Sequence, residues 1–250
     1  MPTATIFPKR PDVDSIKLQK YISDCGVMSR RAAEKAIADG KITVCGVTAK
    51  LGDRIVPGRD LVEYCGKPVL QTEVKMTVAL NKPRGYVTTM SDEKNRRTVA
   101  ELLASAGTRL YPAGRLDCDS QGLIICTNDG ELANRLMHPS HHFKKVYLVT
   151  VKGGVDAATI KGLCDMRTLD GEPIMPVTAS EVYRSDKKTV IKFVLMQGKN
   201  RQIRRMCDCF GLEITELKRV SVGPVSLGDL PLGEYRVLTE AEMQALERIR

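Results

Sequence analysis

Gly114-Arg115-Leu116-Asp117-Cys118-Asp119-Ser120-Gln121-Gly122-Leu123 runs straight into Ile124-Ile125-Cys126-Thr127-Asn128-Asp129-Gly130. The first part is charged and bracketed by glycines. The second opens as an unbroken apolar run of the kind that forms a buried strand. A loop feeding such a strand sets Arg115 and Asp117, two residues apart, at the rim of a core. A carboxylate there is partly desolvated and calls for a cation nearby. From the residues alone, a structural ion pair at a strand edge is the simpler account, with a catalytic carboxylate as the alternative.

Outward from this stretch, short β-rich runs alternate with helical ones. Residues 76–80, 123–127, 146–151 and 189–195 read as strands, and 131–137 and 201–210 as helices. Strands and helices share one domain, and the fold class expected for it, α+β, comes with the family resemblance given below. In Lys144-Lys145-Val146-Tyr147-Leu148-Val149, alternation puts Tyr147 and Val149 on one face and Val146 and Leu148 on the other. A core tyrosine is the plain reading. A second basic stretch is Gln197-Gly198-Lys199-Asn200-Arg201-Gln202-Ile203-Arg204-Arg205-Met206. On a helix, Ile203, Met206, Cys207 and Phe210 form the apolar face, and Arg204 lies about 100° from Ile203 at its border. Arg201 and Arg205 point well away. Arg204 alone is therefore predicted to reach inward toward a buried carboxylate, leaving Arg201 and Arg205 free for phosphate.

Upstream lies a compact basic unit. Ser15 is placed to cap a helix carrying the stripe Leu18, Tyr21, Ile22, Cys25, with Gly26 ending it. Ser29 is placed to cap a second helix with Ala33, Ala36 and Ile37 inward and Gly40 as its stop. Arg30, Arg31 and Lys35 fall on the outer side of that helix. Ile42-Thr43-Val44, Cys45-Gly46 and Val47-Thr48 read as strand, tight turn and strand, with 61–64 a further strand. The expected organisation is a mobile tail over 1–13, this unit over 14–66, a linker over 67–73 and a larger domain over 74–250.

The 250 residues carry 39 basic and 30 acidic side chains, a formal charge of +9 that suits a polyanionic partner. Both parts are positive: residues 1–70 hold 12 basic and 8 acidic side chains, the remainder 27 and 22. With seven Tyr, four Phe and no Trp, base stacking has to rest on one or two rings. The eight cysteines include no C-x-x-C pair, and Cys207-x-Cys209 with three His is a poor zinc signature. They read as reduced thiols in a cytoplasmic protein, acting as small hydrophobes. Residues 1–15 hold Pro2, Pro8 and Pro11 and no signal-like apolar run, and no stretch suggests a membrane span.

Two resemblances follow from these motifs. Lys17-Leu18-Gln19-Lys20-Tyr21-Ile22, Ser29-Arg30-Arg31-Ala32-Ala33 and Gly52-Asp53-Arg54-Ile55-Val56-Pro57-Gly58 resemble the S4 RNA-binding domain over 16–66, with Cys45 where that family usually has Asn. The resemblance implies contact with structured RNA through Lys17, Arg30, Arg31 and Lys35. The order Gly114 to Gly122, Tyr147, Asn200 to Met206, over 76–240, is similar to the RsuA-type pseudouridine synthases, which join an S4 domain to a catalytic domain on a mixed, largely antiparallel sheet. It implies Asp117 as the catalytic aspartate, Tyr147 as the ring stacked on the target base and Arg204 as the cation paired with Asp117. Arg115 would enter the space left by the flipped nucleotide, and Leu217 would pack beside the base. Lys199, Arg201 and Arg205 would also contact the substrate.

Within that family, 119–123 and 200–207 look most like the RluF branch, which implies large-subunit (23S) ribosomal RNA as substrate. Leu136-Met137-His138-Pro139-Ser140 looks more like the RsuA and RluB branches, and Val146 stands where a Glu usually precedes the tyrosine. A small-subunit or tRNA uridine is the alternative. The expected protein is a monomer that needs no cofactor or metal and acts on a structured stem-loop, free or within an assembly intermediate. The rival class is a non-catalytic RNA-binding protein; degeneration should show first at Asp117 or Arg204, and both are present. A glycoside hydrolase using Asp117 and Asp119 is weaker, because carboxylates at i and i+2 in a loop are not fixed at the separation such enzymes need.

Overall fold

The computed structural model describes residues 15–70 and 74–249 and divides the chain into two compact units that meet between Val74 and Lys75. The tail expected over 1–13 and positions 71–73 of the expected linker lie outside the described residues.

The first unit holds β1 (Ile16–Lys17), α1 (Leu18–Asp24), α2 (Arg30–Ala38), β2 (Ile42–Val44), β3 (Val47–Thr48), β4 (Arg54–Ile55), β5 (Val62–Tyr64) and β6 (Lys67–Pro68). Ser29 caps α2 as expected, accepting from Ala32 N at 3.1 Å. Ser15 does not cap α1. Residues 16 and 17 are extended and pair with β4, and the Ser15 hydroxyl accepts instead from Arg54 Nε at 2.9 Å. The hairpin turns Cys45-Gly46 and Cys65-Gly66 have positive φ at both positions, the geometry that joins two twisted strands without splaying them. The second turn brings Lys67–Pro68 onto β5 and buries Val69 in the core with Leu18, Ile22, Ile37 and Ile55. The unit therefore runs past 66, and the first residues of the expected linker are sheet. Lys17, Arg30, Arg31 and Lys35 are all exposed.

The second unit holds β7 (Thr77–Lys82), α3 (Val99–Leu102), β8 (Tyr111–Pro112), β9 (Gln121–Thr127), α4 (Gly130–Met137), β10 (Lys145–Lys152), α5 (Ala157–Asp165), β11 (Thr168–Leu169), β12 (Glu172–Pro173), β13 (Thr178–Arg184), β14 (Lys188–Leu195), α6 (Gln202–Cys209), β15 (Ile214–Val222), β16 (Val225–Ser226), β17 (Tyr235–Val237) and α7 (Glu240–Arg248). Its main sheet has the order β13-β14-β10-β15-β9-β7-β17, with β16 on β15 and β8 on β9. Among the described strands of this sheet only β9 and β15 pair in parallel; the other pairings are antiparallel. This is the α+β, mixed and mostly antiparallel arrangement that the family resemblance implies. One face packs Ile203, Met206 and Cys207 of α6 against Tyr147, Val149 and Leu217. The other packs Leu132, Leu136 and Leu246 against Ala79, Leu123 and Ile125.

The parallel pair is short, Gln121 opposite Lys218 and Gly122 opposite Arg219. Gly122 has φ +107°, and a Cβ there would fall 2.2 Å from the Arg219 carbonyl oxygen. No side chain fits that gap. Arg219, only 4% exposed, locks the same junction: its Nε donates to Leu123 O at 2.7 Å and its Nη1 to Arg115 O at 3.4 Å.

The loop entering β9 is held from its other side by the segment after β7. Thr88 Oγ1 donates to Leu116 O (2.7 Å) and accepts from Leu116 N (3.2 Å), and Gly85 N donates to Cys118 O (2.7 Å). Asp117 is thus pinned at both neighbours. Lys82 shapes the gripping turn. Its side chain is wholly buried, and Nζ donates to Pro83 O and Tyr86 O, both at 2.8 Å. Burial pushes this ammonium down to about 8; Cys118, Asp119 and Asp117 pull it back up, and Arg219 lowers it further.

Two outcomes are expected. Gly122→Ala forces β15 away from β9 and should cost more than about 2 kcal/mol. A thermal-melting midpoint within a degree or two of wild type would show that the junction relaxes freely. Lys82 titrates near 8 when folded against 10.5 when unfolded, so between those values the folded chain binds fewer protons. Below about 8 its buried charge is a cost, and stability from this group rises with pH from about 8 to 10.5, by up to about 3 kcal/mol. In urea unfolding, wild type should gain on Lys82→Met between pH 7.5 and 10; a constant difference would sink the assignment.

Candidate active site

A cleft of about 440 Å³ opens beside the β8–β9 loop. Its walls come from segments far apart in sequence: Arg115, Leu116, Asp117 and Ser120 from that loop, Lys145 and Tyr147 from β10, 198–204 around the start of α6, and Leu217 and Arg219 from β15. The sheet order brings them together, because β10, β15 and β9 are neighbours.

Asp117 projects from the loop with its side chain 32% exposed. Two guanidiniums approach one oxygen: Arg201 Nη1 lies 3.7 Å and Arg204 Nε 4.0 Å from Oδ2. Arg204 behaves as its position at the edge of the apolar face predicts, with only 13% exposure. Its Nη2 also donates to Asp119 O (3.1 Å) and Ser120 Oγ (3.0 Å) and lies 3.3 Å from Asp119 Oδ2. It therefore braces the loop that carries Asp117 as well as facing the carboxylate. Its Nε is buried and has no hydrogen-bond partner. The expectation that Arg201 points away needs correcting. Arg201 precedes α6 as its N-cap with φ +49°, so helical angles do not govern it, and its side chain turns back to Asp117 and to Asp119 Oδ1 at 3.5 Å.

Tyr147 is 8% exposed and Leu217 5% exposed; both belong to the main apolar cluster and line the cleft. Tyr147 is thus at once the core residue its alternation predicts and a wall of the site. Lys199 lines the cleft, with Nζ 2.7 Å from Glu172. Arg205 is not among the lining residues: it pairs with Asp170 at 2.6 Å, so the expected free phosphate ligand already has an acidic partner. Both carboxylates sit on the small β11–β12 hairpin. Arg115 is exposed on the loop.

Three contributors escape the sequence reading: Arg219, Lys145 and Gln202. Burial, and then Arg219, push Lys145 down to about 8, and its Nζ donates to Phe143 O at 3.0 Å. Gln202, 3% exposed, accepts from Lys199 N at 3.2 Å and shapes the entry to α6. None carries a pattern that separates it from a surface residue. The thiols divide. Cys25, Cys126 and Cys207 are buried, and desolvation pushes Cys126 and Cys207 up to about 12. Cys45, Cys65, Cys118 and Cys209 are exposed, so the small-hydrophobe reading fails for them. Among the described residues no group of three or more His, Cys, Asp or Glu could hold a metal ion, and no helix is long and apolar enough to cross a membrane.

Known proteins share this arrangement of sequence. Residues 76–208 match the family described as RNA pseudouridylate synthase. An uncharacterized RNA pseudouridine synthase of Aquifex aeolicus is 38% identical over 233 residues, covering 92% of this chain and 93% of that protein. The dual-specificity RNA pseudouridine synthase RluF of Escherichia coli is 39% identical over 236 residues, 93% of this chain and 78% of that protein. A solved pseudouridylate synthase superposes with a TM-score of 0.66 at 29% identity, covering 92% of this chain and 99% of the other. The chain therefore belongs to the RNA pseudouridine synthases, isomerases that rearrange uridine within RNA.

Proposed function

We propose that this enzyme isomerises one specific uridine of large-subunit (23S) ribosomal RNA, with Asp117 as the catalytic carboxylate and the target base flipped into the cleft. The observation that carries the reading is the Asp117 carboxylate on the cleft wall, with Arg201 at 3.7 Å and Arg204 at 4.0 Å and Tyr147 and Leu217 lining the same space. Similarity to RluF, together with the RluF-like stretches at 119–123 and 200–207, supports a ribosomal substrate.

The reaction breaks the C1′–N1 bond, turns the uracil and joins C5 to C1′; the C5 proton leaves and N1 gains one. It is redox-neutral and requires no cofactor. A charged carboxylate at the sugar–base junction serves attack at C1′, addition at C6 or proton removal alike. The two guanidiniums offset its partial desolvation. Flipping costs a few kcal/mol, and stacking on Tyr147 returns about 1–3 kcal/mol. Leu217 closes the apolar side of the base and limits water at the detached uracil. Arg115 fills the stack the nucleotide leaves, while Arg201 and Lys199 serve phosphate. Arg205 joins them once RNA displaces Asp170. That exchange is cheap, because ion pairs this exposed are worth only about 0–1 kcal/mol.

The first unit we assign as an S4-type RNA-binding domain, with Lys17, Arg30, Arg31 and Lys35 as its contacts. All four side chains are exposed, and α2 presents three of them on a rigid, capped helix. Duplex RNA is read mainly by shape and phosphate, which suits such a surface. The protein works as a monomer in the cytoplasm on a structured stem-loop, free or within an assembling subunit.

Asp117→Asn should abolish tritium release from [5-³H]uridine-labelled ribosomal RNA while RNA affinity stays within about twofold of wild type. Retained turnover would remove Asp117 from the mechanism. Replacing Arg30, Arg31 and Lys35 together by Ala should weaken RNA binding and reduce the slope of log K against log salt by roughly two to three. An unchanged slope counts against RNA docking through α2.

A further inference from the structure

The loop that carries Asp117 has a second opening on its other side. A cleft of about 600 Å³ lies between this loop and the segment after β7, walled by Arg84, Gly85, Val87, Thr88 and Arg96 on one side and by 115–119 on the other, with Arg201 at its margin. Arg115, Leu116, Asp117 and Arg201 line both clefts. The loop is therefore a ridge between two openings, each within the roughly 300–1,000 Å³ of small-molecule sites.

The chemistry of the two sides differs. The first cleft has Tyr147 and Leu217 in its wall, and the second has no aromatic lining residue. What it has is guanidinium: Arg84, Arg96, Arg115 and Arg201, set against Asp117 and Asp119. Arg96 is occupied, holding Asp92 through two nitrogens, and Arg201 is shared with both aspartates. Arg84 is exposed and spends one nitrogen on the Thr215 carbonyl at 3.1 Å, leaving the rest of its fork open. A planar fork with free donors and no ring to stack on suits a phosphodiester rather than a base.

We infer that the second cleft binds the sugar–phosphate backbone of a nucleotide flanking the target uridine, so that the RNA strand crosses the Asp117 ridge with one nucleotide on either side. The inference rests on the reading of the first cleft as the uridine site. A strand anchored on both sides of the ridge holds the flipped nucleotide against the carboxylate at two points. Arg84 forms the anchor on the far side, and Arg115, which lines both clefts, spans the crest.

The test uses the full chain with [5-³H]uridine-labelled ribosomal RNA transcripts for turnover and a fluorescent copy for affinity. Arg84→Ala should raise KM roughly five- to tenfold with kcat within twofold, and should lower the salt slope of RNA binding by about one. Arg84→Glu should do more in the same direction. Lys161→Ala, an exposed lysine of α5 that lines neither cleft, should match wild type in every readout. An unchanged KM and salt slope in both Arg84 variants overturns the inference. So does a fall in kcat at constant KM, which would make Arg84 a brace of the loop rather than an RNA contact. Loss of affinity for uridine monophosphate with RNA affinity intact would also overturn it, by reassigning the cleft to a free nucleotide. Wild-type protein that binds the transcript without turnover would reject the assigned chemistry, and the affinity and salt arms would still decide the role of Arg84.

Discussion

Arg219 sits under the Asp117 loop with 4% of its surface exposed, bonded to the carbonyls of Leu123 and Arg115, where β9 and β15 run parallel. A buried guanidinium is tolerable only when its donors are satisfied, and here both acceptors belong to the segment that carries Asp117. Gly122 makes the approach possible by offering no side chain where the Arg219 carbonyl arrives. The site follows from this contact. Because β15 lies between β9 and β10, Asp117 at the entry to β9 faces Tyr147 on β10 across Leu217 on β15. Gly85 and Thr88, on the turn that Lys82 shapes, then hold the loop from the opposite side, so the carboxylate sits on a peptide fixed at both neighbours. A side chain on a peptide so fixed has its position set during folding rather than by whatever binds beside it.

The charges around the cleft follow a related economy. Lys199 pairs with Glu172, Arg205 with Asp170, and Arg201 with Asp117 and Asp119. Each of these bridges has at least one partner more than a third exposed, where ion pairing is weak and exchangeable. The acidic hairpin β11–β12 thus keeps strongly basic side chains ordered without fixing them. Arg204 is different. Its bonds to the Asp119 carbonyl and Ser120 hydroxyl are largely shielded, so it belongs to the framework of the loop.

Much of this was legible in the sequence for physical reasons. Gly114 to Leu123 running into an apolar stretch placed a carboxylate at a strand entrance, and the period of Ile203, Met206 and Cys207 turned Arg204 inward. Alternation put Tyr147 on the buried face. Where the reading failed, local rules met a non-local partner. Ser15 has the composition of a helix cap, yet β4 recruits the next two residues into a strand. Arg201 escaped because it is itself left-handed and stands just before the first helical residue, Gln202, so the wheel drawn from 201 does not govern it. Lys67 and Pro68 read as linker because their strand partner lies across a Cys-Gly turn. Lys82 and Arg219 had no local sign at all: a buried cation is marked only by the carbonyls it finds, and those come from the tertiary fold. Helix α7 did carry a sign, since Thr239 and Glu242 form a capping box that the sequence displays.

The parallel contact also has a bearing on how the molecule is made. Leu123 leaves the ribosome 96 residues before the arginine that completes its bonding. At about 5–20 residues per second the nascent chain waits roughly 5–20 seconds with that edge of β9 unsealed. The antiparallel partner β7 is already available in that interval, so the wait exposes one margin of the strand rather than the whole of it. An interrupted polypeptide that stops short of 219 therefore carries the Asp117 loop without its buried arginine, and one margin of β9 stays open to mispairing.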